Sequence, residues 1–276
     1  MNVLKTHNLT KIYGAGKTTL MRLITSLTFP DSGEIELFGE TSKAGLAAAR
    51  RRMSATIEVP ALYSNLTAVQ NLEYYRIQYG IPSKNSVENA LKFVNLTDTG
   101  NKKFKNFSLG MKQRLGLALA MLSNPDFLIL DEPTNGLDPI GIVETRELIK
   151  KFSDNGITIL ISSHILAELS QTATKYGFIH EGRFIKELTH GQLQEECKRA
   201  LAIKVDDAAK AAAVLETALG ITGYKQISAN ELRVYEHLDN SSEVTFQLAQ
   251  QGVRVAEMHE VGDSLEDYFK KVIGGC

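Results

Sequence analysis

The run Phe127-Leu128-Ile129-Leu130, closed at once by Asp131 and Glu132, constrains the fold more than any other stretch of this chain. A short apolar run without polar alternation reads as a strand buried on both faces. Such strands belong to parallel sheets whose connections are helices. The rest of residues 1–195 keeps that rhythm, with Gly-bounded apolar runs between helical patterns. Helices are expected over 17–26, 67–79, 86–94, 109–122, 140–154 and 165–173, and strands over 34–38, 127–131 and 158–162. Pro82 breaks the chain between the second and third of those helices.

The texture changes after about residue 196. Strands at 200–205, 224–227, 231–235 and 253–259 alternate with helices at 208–219 and 242–250, before a closing helix at 265–273. The order βαββαβ, then α, predicts a small α+β domain with a four-stranded sheet. The expected division is therefore 1–195 and 196–276, with a helical subdomain at about 65–122. Arg50-Arg51-Arg52 is the one conspicuous charge run and reads as a solvated helix end.

Composition narrows the function classes. Lys and Arg number 31 against 32 Asp and Glu, so the chain lacks the basic footprint of a nucleic-acid binder. Its clean apolar runs fall well short of the roughly 20 residues that span a bilayer. Met1 to His7 lacks the apolar core of a secretory signal, and two cysteines, Cys197 and Cys276, make no disulfide framework. A cytoplasmic chain is expected.

Four motifs carry chemistry. Gly14-Ala15-Gly16-Lys17-Thr18-Thr19 is the end of a phosphate-binding loop. Glycines let backbone N–H groups turn onto a phosphate, the next helix offers its positive end, Lys reaches the terminal phosphates and Thr meets Mg²⁺. Asp131-Glu132 ends a strand in two adjacent carboxylates, one suited to a metal and one to a water. Phe107-Ser108-Leu109-Gly110-Met111-Lys112-Gln113-Arg114 opens a helix that Ser108 can cap, leaving N–H groups for an anion. Ser162-Ser163-His164 follows a strand, where a His can hold a γ-phosphate. Each alone has an ordinary structural reading: a chance Gly-Lys-Thr, an acidic strand end, a plain N-cap, a satisfied polar His.

In this order and spacing the four resemble the nucleotide-binding subunit of ATP-binding-cassette (ABC) transporters. The stretch Leu130-Asp-Glu-Pro-Thr-Asn-Gly-Leu-Asp-Pro139 carries the likeness most specifically, and it extends over roughly residues 1–190. The resemblance implies an α/β P-loop NTPase fold, ATP and Mg²⁺ as ligands, and ATP hydrolysis. It assigns the β/γ-phosphates to Gly14, Ala15, Gly16, Lys17, Thr18 and Thr19, Mg²⁺ to Thr18 and Asp131, and adenine stacking to Tyr13. Glu132 polarises the attacking water, and His164 braces the γ-phosphate. Ser108, Leu109, Gly110, Met111, Lys112 and Gln113 act in trans, each capping the ATP of a second copy in a head-to-tail sandwich dimer. Asp138 sits in the loop coupling the two sites. The implied partner is a separate membrane permease, which places the chain on the inner face of the cell membrane.

Two departures refine the likeness. Glu58 stands where the family usually has Gln, joining the sheet to the helical subdomain and adding a carboxylate near the metal. That Glu resembles bacitracin-resistance and lantibiotic self-protection exporters; the plain alternative is a surface carboxylate at a strand end. Second, Tyr13 lies only four residues before Lys17, and Lys11 occupies the first Gly position of the G-x-x-x-x-G-K-[ST] loop. By this comparison an edge strand and the buried strand feeding the loop are missing. Residues 3–13 alternate too poorly to replace a strand buried on both faces. Besides an exporter ATPase, the sequence thus supports a nucleotide-binding-impaired remnant. A soluble, non-transport ABC ATPase is the third possibility, although the chain shows neither sustained heptads nor a second Gly-Lys-Thr.

Overall fold

The structure is a computed structural model that describes residues 2–11, 16–57, 62–236, 238–262 and 265–274. It divides into two compact units, one of residues 1–172 and 179–184, the other of 173–178 and 185–276.

The first unit begins with β1 (Leu4–Thr10), α1 (Lys17–Ile24), β2 (Ser32–Leu37), α2 (Lys43–Arg50) and β3 (Met53–Thr56). Helices α3 (Ala68–Gln78), α4 (Asn85–Phe93) and α5 (Leu109–Met121) follow. Then come β4 (Phe127–Asp131), α6 (Pro139–Asp154), β5 (Thr158–Ser162) and the single turn α7 (Leu166–Leu169). Strands β3, β4 and β5 form a parallel sheet in that order, with Asp131 opposite Ser162.

β4 explains why its sequence reads as it does. Phe127 and Ile129 enter a cluster with Met21, Leu23, Ile24 and Leu37 on one side. Leu128 and Leu130 enter a separate cluster with Leu115, Leu117, Phe152 and the helical residues Leu72 and Leu91 on the other. Leu128, Ile129 and Leu130 are fully buried, each stabilising the fold by about 2 kcal/mol.

Local signals set the helices. Thr67 and Gln70 form a capping box at the start of α3. Buried Asn71 donates to the Tyr63 and Thr67 carbonyls and accepts from the Tyr63 N–H, tying the preceding loop to that helix. Asp138 caps α6 and Pro139 occupies its first turn. The charge run ends α2 as expected, but it is not simply solvated. Arg50 donates to the Ile24 carbonyl, and Arg52 pairs with Asp126 at 2.7 Å while lying over the Phe38 ring.

Two expectations need correction. The helix expected over 165–173 shrinks to Leu166–Leu169. Ser170 and Thr172 hydroxyls donate to the carbonyls of Ala167 and Glu168 instead, a local bonding that competes with helix propagation. The strand expected over 34–38 forms over Ser32–Leu37, but outside the parallel sheet. β2 pairs antiparallel with β1, Leu4 opposite Leu37 and Thr6 opposite Ile35, in a two-stranded sheet of its own. Gly33 makes that pairing possible: its φ is +84°, and a Cβ there would lie 2.3 Å from the Asn8 carbonyl oxygen.

The second unit takes in the inner ends of a hairpin, β6 (Lys175–His180) and β7 (Arg183–Thr189), whose turn Glu181-Gly182 has both φ values positive. It continues with α8 (His190–Cys197), β8 (Ala200–Val205), α9 (Ala208–Leu219), β9 (Tyr224–Ser228) and β10 (Glu231–Val234). It ends with α10 (Ser241–Gln250), β11 (Val255–Val261) and α11 (Leu265–Gly274). The unit therefore starts before residue 196, because Phe178 in β6 packs its ring against Tyr268 and Phe269 of α11. Strand order is β11-β8-β10-β9, all antiparallel. Leu201, Ile203, Val205, Leu232 and Val234 point into one core with α9 and α10.

Candidate active site

The site gathers where β4 and β5 end and α1 begins. α1 starts at Gly16, whose φ of +152° is a conformation glycine adopts without strain. Lys17 Nζ donates to the Ser163 carbonyl at 2.9 Å, just past the end of β5. Thr18 Oγ1 donates to Asp131 Oδ2 at 2.8 Å. Thr19 lies half-buried on the same helix.

Asp131 and Glu132 are held differently by one hydroxyl. Ser162 Oγ donates to Asp131 Oδ1 at 2.5 Å and accepts from the Glu132 N–H at 2.9 Å. Asp131 and Ser162 are both buried. Glu132 has a φ of +48°, a left-handed conformation that costs a non-glycine residue about 1 kcal/mol. That turn points its carboxylate towards Lys17 and His164. Glu132 Oε1 lies 3.2 Å from Lys17 Nζ, and Oε2 lies 2.7 Å from His164 Nδ1 and accepts from the His164 N–H. Burial pushes the Glu132 carboxyl up, but hydrogen bonds and charge from His164 and Lys17 outweigh it and hold the group below its ordinary value.

The structure thus brings together Gly16, Lys17, Thr18, Asp131, Glu132 and His164. Tyr13, Gly14, Ala15 and Glu58 lie outside the described residues. Ser108 caps α5 by accepting from the Met111 N–H at 3.3 Å; Ser108 and Leu109 are exposed, and Gly110, Met111, Lys112 and Gln113 follow on the first turns. The α5 start approaches the loop after β4, since a Cβ on Gly136 would meet Leu109 Cδ2 at 3.3 Å. Asp138 has a structural bond, accepting from the Gly141 N–H. Thr18 and Asp131 offer two hard oxygen donors side by side. That suits Mg²⁺, which takes one or two protein oxygens and completes its shell with phosphates and water.

Residues 12–135 match the family model described as ABC transporter. The bacitracin transport ATP-binding protein BcrA of Bacillus licheniformis is 43% identical over 95% of this chain and 86% of its own length. The chain belongs to the ABC transporter family. The lantibiotic transport ATP-binding protein SrtF of Streptococcus pyogenes is 46% identical over 63% of this ABC subunit and 74% of its own length. A solved ATP-binding subunit of an ABC transporter superposes with a TM-score of 0.61 at 27% identity, over 70% of this chain and 92% of that one. The ABC subunit has the P-loop ATPase fold of those relatives. No helix among its described residues is long and apolar enough to cross a membrane.

Two residues of the candidate site carry more than the sequence motifs suggest. Ser162 stands in the sequence only as the lead-in to His164, yet its hydroxyl holds the Asp131 carboxylate and the Glu132 backbone N–H. Ser163 supplies the carbonyl that Lys17 reaches. The available signal was polarity at the end of an otherwise apolar strand, Thr158-Ile-Leu-Ile-Ser162.

Proposed function

We propose that this ABC subunit binds and hydrolyses ATP to power a separate membrane permease that exports antimicrobial peptides such as bacitracin or lantibiotics. The substrate class follows from the relatives named for bacitracin and lantibiotic transport. The observation that carries the reading is the convergence of Lys17, Thr18, Asp131, Glu132 and His164 on one point.

Lys17 and the backbone after Gly16 orient the β- and γ-phosphates, and Thr18 with Asp131 holds Mg²⁺. The bound metal supplies charge neutralisation on the phosphates. Glu132, kept ionised by Lys17 and His164, accepts a hydrogen bond from the attacking water and aims its oxygen at the γ-phosphorus. The new P–O bond forms as the bond to the β,γ-bridging oxygen breaks, giving ADP and phosphate. His164 contacts the γ-phosphate, and the exposed Ser108–Gln113 turn closes over the ATP of a second copy. Asp138, which caps the helix after the metal strand, couples the two sites. An exposed aromatic face of α3 and its preceding loop, with Tyr63, Tyr74, Ile77 and Tyr79, suits docking to the permease. Glu132→Gln tests the chemistry: turnover falls by about 100-fold or more while ATP binding persists. ATPase turnover that survives the change refutes the role.

A second reading, a nucleotide-binding-impaired remnant, is favoured by β1, which pairs with β2 and not with the parallel sheet. Titrating labelled ATP against the purified chain separates the two. Micromolar affinity counts against the remnant.

A further inference from the structure

We propose that Thr134 and Glu168 are positioning residues, whose hydrogen bond holds the loop after β5, with His164, in register with the loop after β4, with Glu132. Their role rests on the parts given to Glu132 and His164 in ATP hydrolysis above.

Glu132 and His164 both sit on irregular chain. Glu132 is the left-handed residue that follows β4, and His164 is exposed between β5 and α7. α7 does not fix its own entry. It is a single turn of four residues without a side-chain N-cap, and so short a helix has no stability of its own. The direct contact, Glu132 Oε2 to His164 Nδ1 at 2.7 Å, does not suffice to hold the two in place through turnover, because one group must face the attacking water and the other the γ-phosphate.

A second cross-link lies behind the first. Thr134 is buried, in a loop whose other polar side chains, Asn135 and Asp138, are exposed. A buried hydroxyl needs a partner. Thr134 Oγ1 donates to Glu168 Oε2 at 2.5 Å, a charge-assisted bond across 34 residues of sequence. Both ends of that bond are braced. The Asn135 N–H donates to the Glu132 carbonyl and the Leu137 N–H to the Thr134 carbonyl, so Thr134 stands between two tight turns. In α7 the Glu168 N–H donates to the Ile165 carbonyl, and the Glu168 carbonyl accepts from the Gln171 N–H. The Ile165 N–H donates to Ser163 Oγ, which completes the path back to the end of β5. His164 is therefore spanned by the Ser163 turn on one side and the Thr134–Glu168 bond on the other. The pair lines a cleft with Ile142, Ile149, Ile161 and Leu169, and apolar walls strengthen a hydrogen bond to a charge.

The test uses the full chain and four variants. Thr134→Val keeps the shape and removes the donor, whereas Thr134→Ser keeps the donor. Glu168→Leu removes the acceptor, whereas Glu168→Gln keeps an accepting oxygen. Without nucleotide, amide exchange at residues 164–168 is expected to quicken about tenfold or more in Thr134→Val and Glu168→Leu, with β4 amides unchanged. With ATP, kcat is expected to fall about tenfold or more at unchanged KM, and Thr134→Ser and Glu168→Gln recover most of both effects. The double variant Thr134→Val/Glu168→Leu is no worse than either single one, because each removes the same bond. Arg146 of α6 still donates to Gln171, just past α7, and keeps that helix attached; should Thr134→Val not fold, Glu168→Leu against Glu168→Gln makes the same comparison. A wild type without turnover refutes the ATPase parts of Glu132 and His164, and the exchange measurement then decides on the Thr134–Glu168 bond by itself. The proposal is overturned if exchange at 164–168 is unaltered, if the loss lies in KM alone, or if the effects of the two single changes add.

Discussion

Ser162→Ala isolates the contribution of one buried hydroxyl to both acidic residues of the site. The side chain is 3% exposed, donates to Asp131 Oδ1 at 2.5 Å and accepts from the Glu132 N–H at 2.9 Å. Removing it deletes a bond to a carboxylate, about 1.5–3 kcal/mol, and strands a backbone N–H, about 1–3 kcal/mol. Asp131 keeps Thr18 as a donor and is 8% exposed, so water recovers part of the loss. The expected destabilisation is about 3 kcal/mol, a large share of the roughly 5–15 kcal/mol available to a domain. Urea unfolding at neutral pH reads it as a lower midpoint at constant slope. ATPase turnover falls in parallel, because the left-handed turn at Glu132 loses the bond that fixes its backbone. A change under about 0.5 kcal/mol refutes the claim that Ser162 holds the Asp131 carboxylate and the Glu132 backbone.

Three further outcomes follow from the geometry. The Glu132 carboxyl sits below its ordinary value, so its pairing stabilises the fold fully above the unfolded pKa and is lost as pH falls through the folded one. Urea midpoints of the wild type should therefore fall more steeply on acidification, below the ordinary carboxylate value of 4.5, than those of Glu132→Gln. Asn71→Ala removes a buried amide with three backbone bonds, costs about 2–3 kcal/mol, and speeds hydrogen exchange at residues 62–79 before the rest of the unit. Gly33→Ala drives a methyl to 2.3 Å from the Asn8 carbonyl oxygen at a φ of +84°; exchange protection across β1 and β2 is lost while β4 keeps its own, and intact β1–β2 protection contradicts the assigned register.

Much of this architecture was legible because its determinants are local. β4 announces itself by an apolar run that leaves no other place to go, and the cap residues Thr67, Ser108, Asp138 and Asp207 mark helix starts at the positions they occupy. The βαββαβ order of the second unit could be read for the same reason. What escaped depends on pairing between distant segments. Nothing near Ser162 in sequence says that it stands opposite Asp131 across 31 residues. The hairpin β6–β7 is signalled only by Glu181-Gly182, a weaker turn cue than Asn-Gly, and its strands mix charges with apolar residues. The α7 region carries helical periodicity, but its Ser and Thr hydroxyls bond back to nearby carbonyls and end the helix early.

The divided allegiance of β4 has a mechanical consequence. Phe127 and Ile129 are rooted in the cluster beneath α1, and Leu128 and Leu130 in the cluster beneath α5. Neither cluster melts without uncovering one flank of the same five residues, so the two lobes of this unit are yoked into a single cooperative block. Amides of β4 should be the slowest in the unit to exchange. A pull on the carboxyl pair at its tip is delivered to both lobes at once, which makes this strand a tie-rod between them.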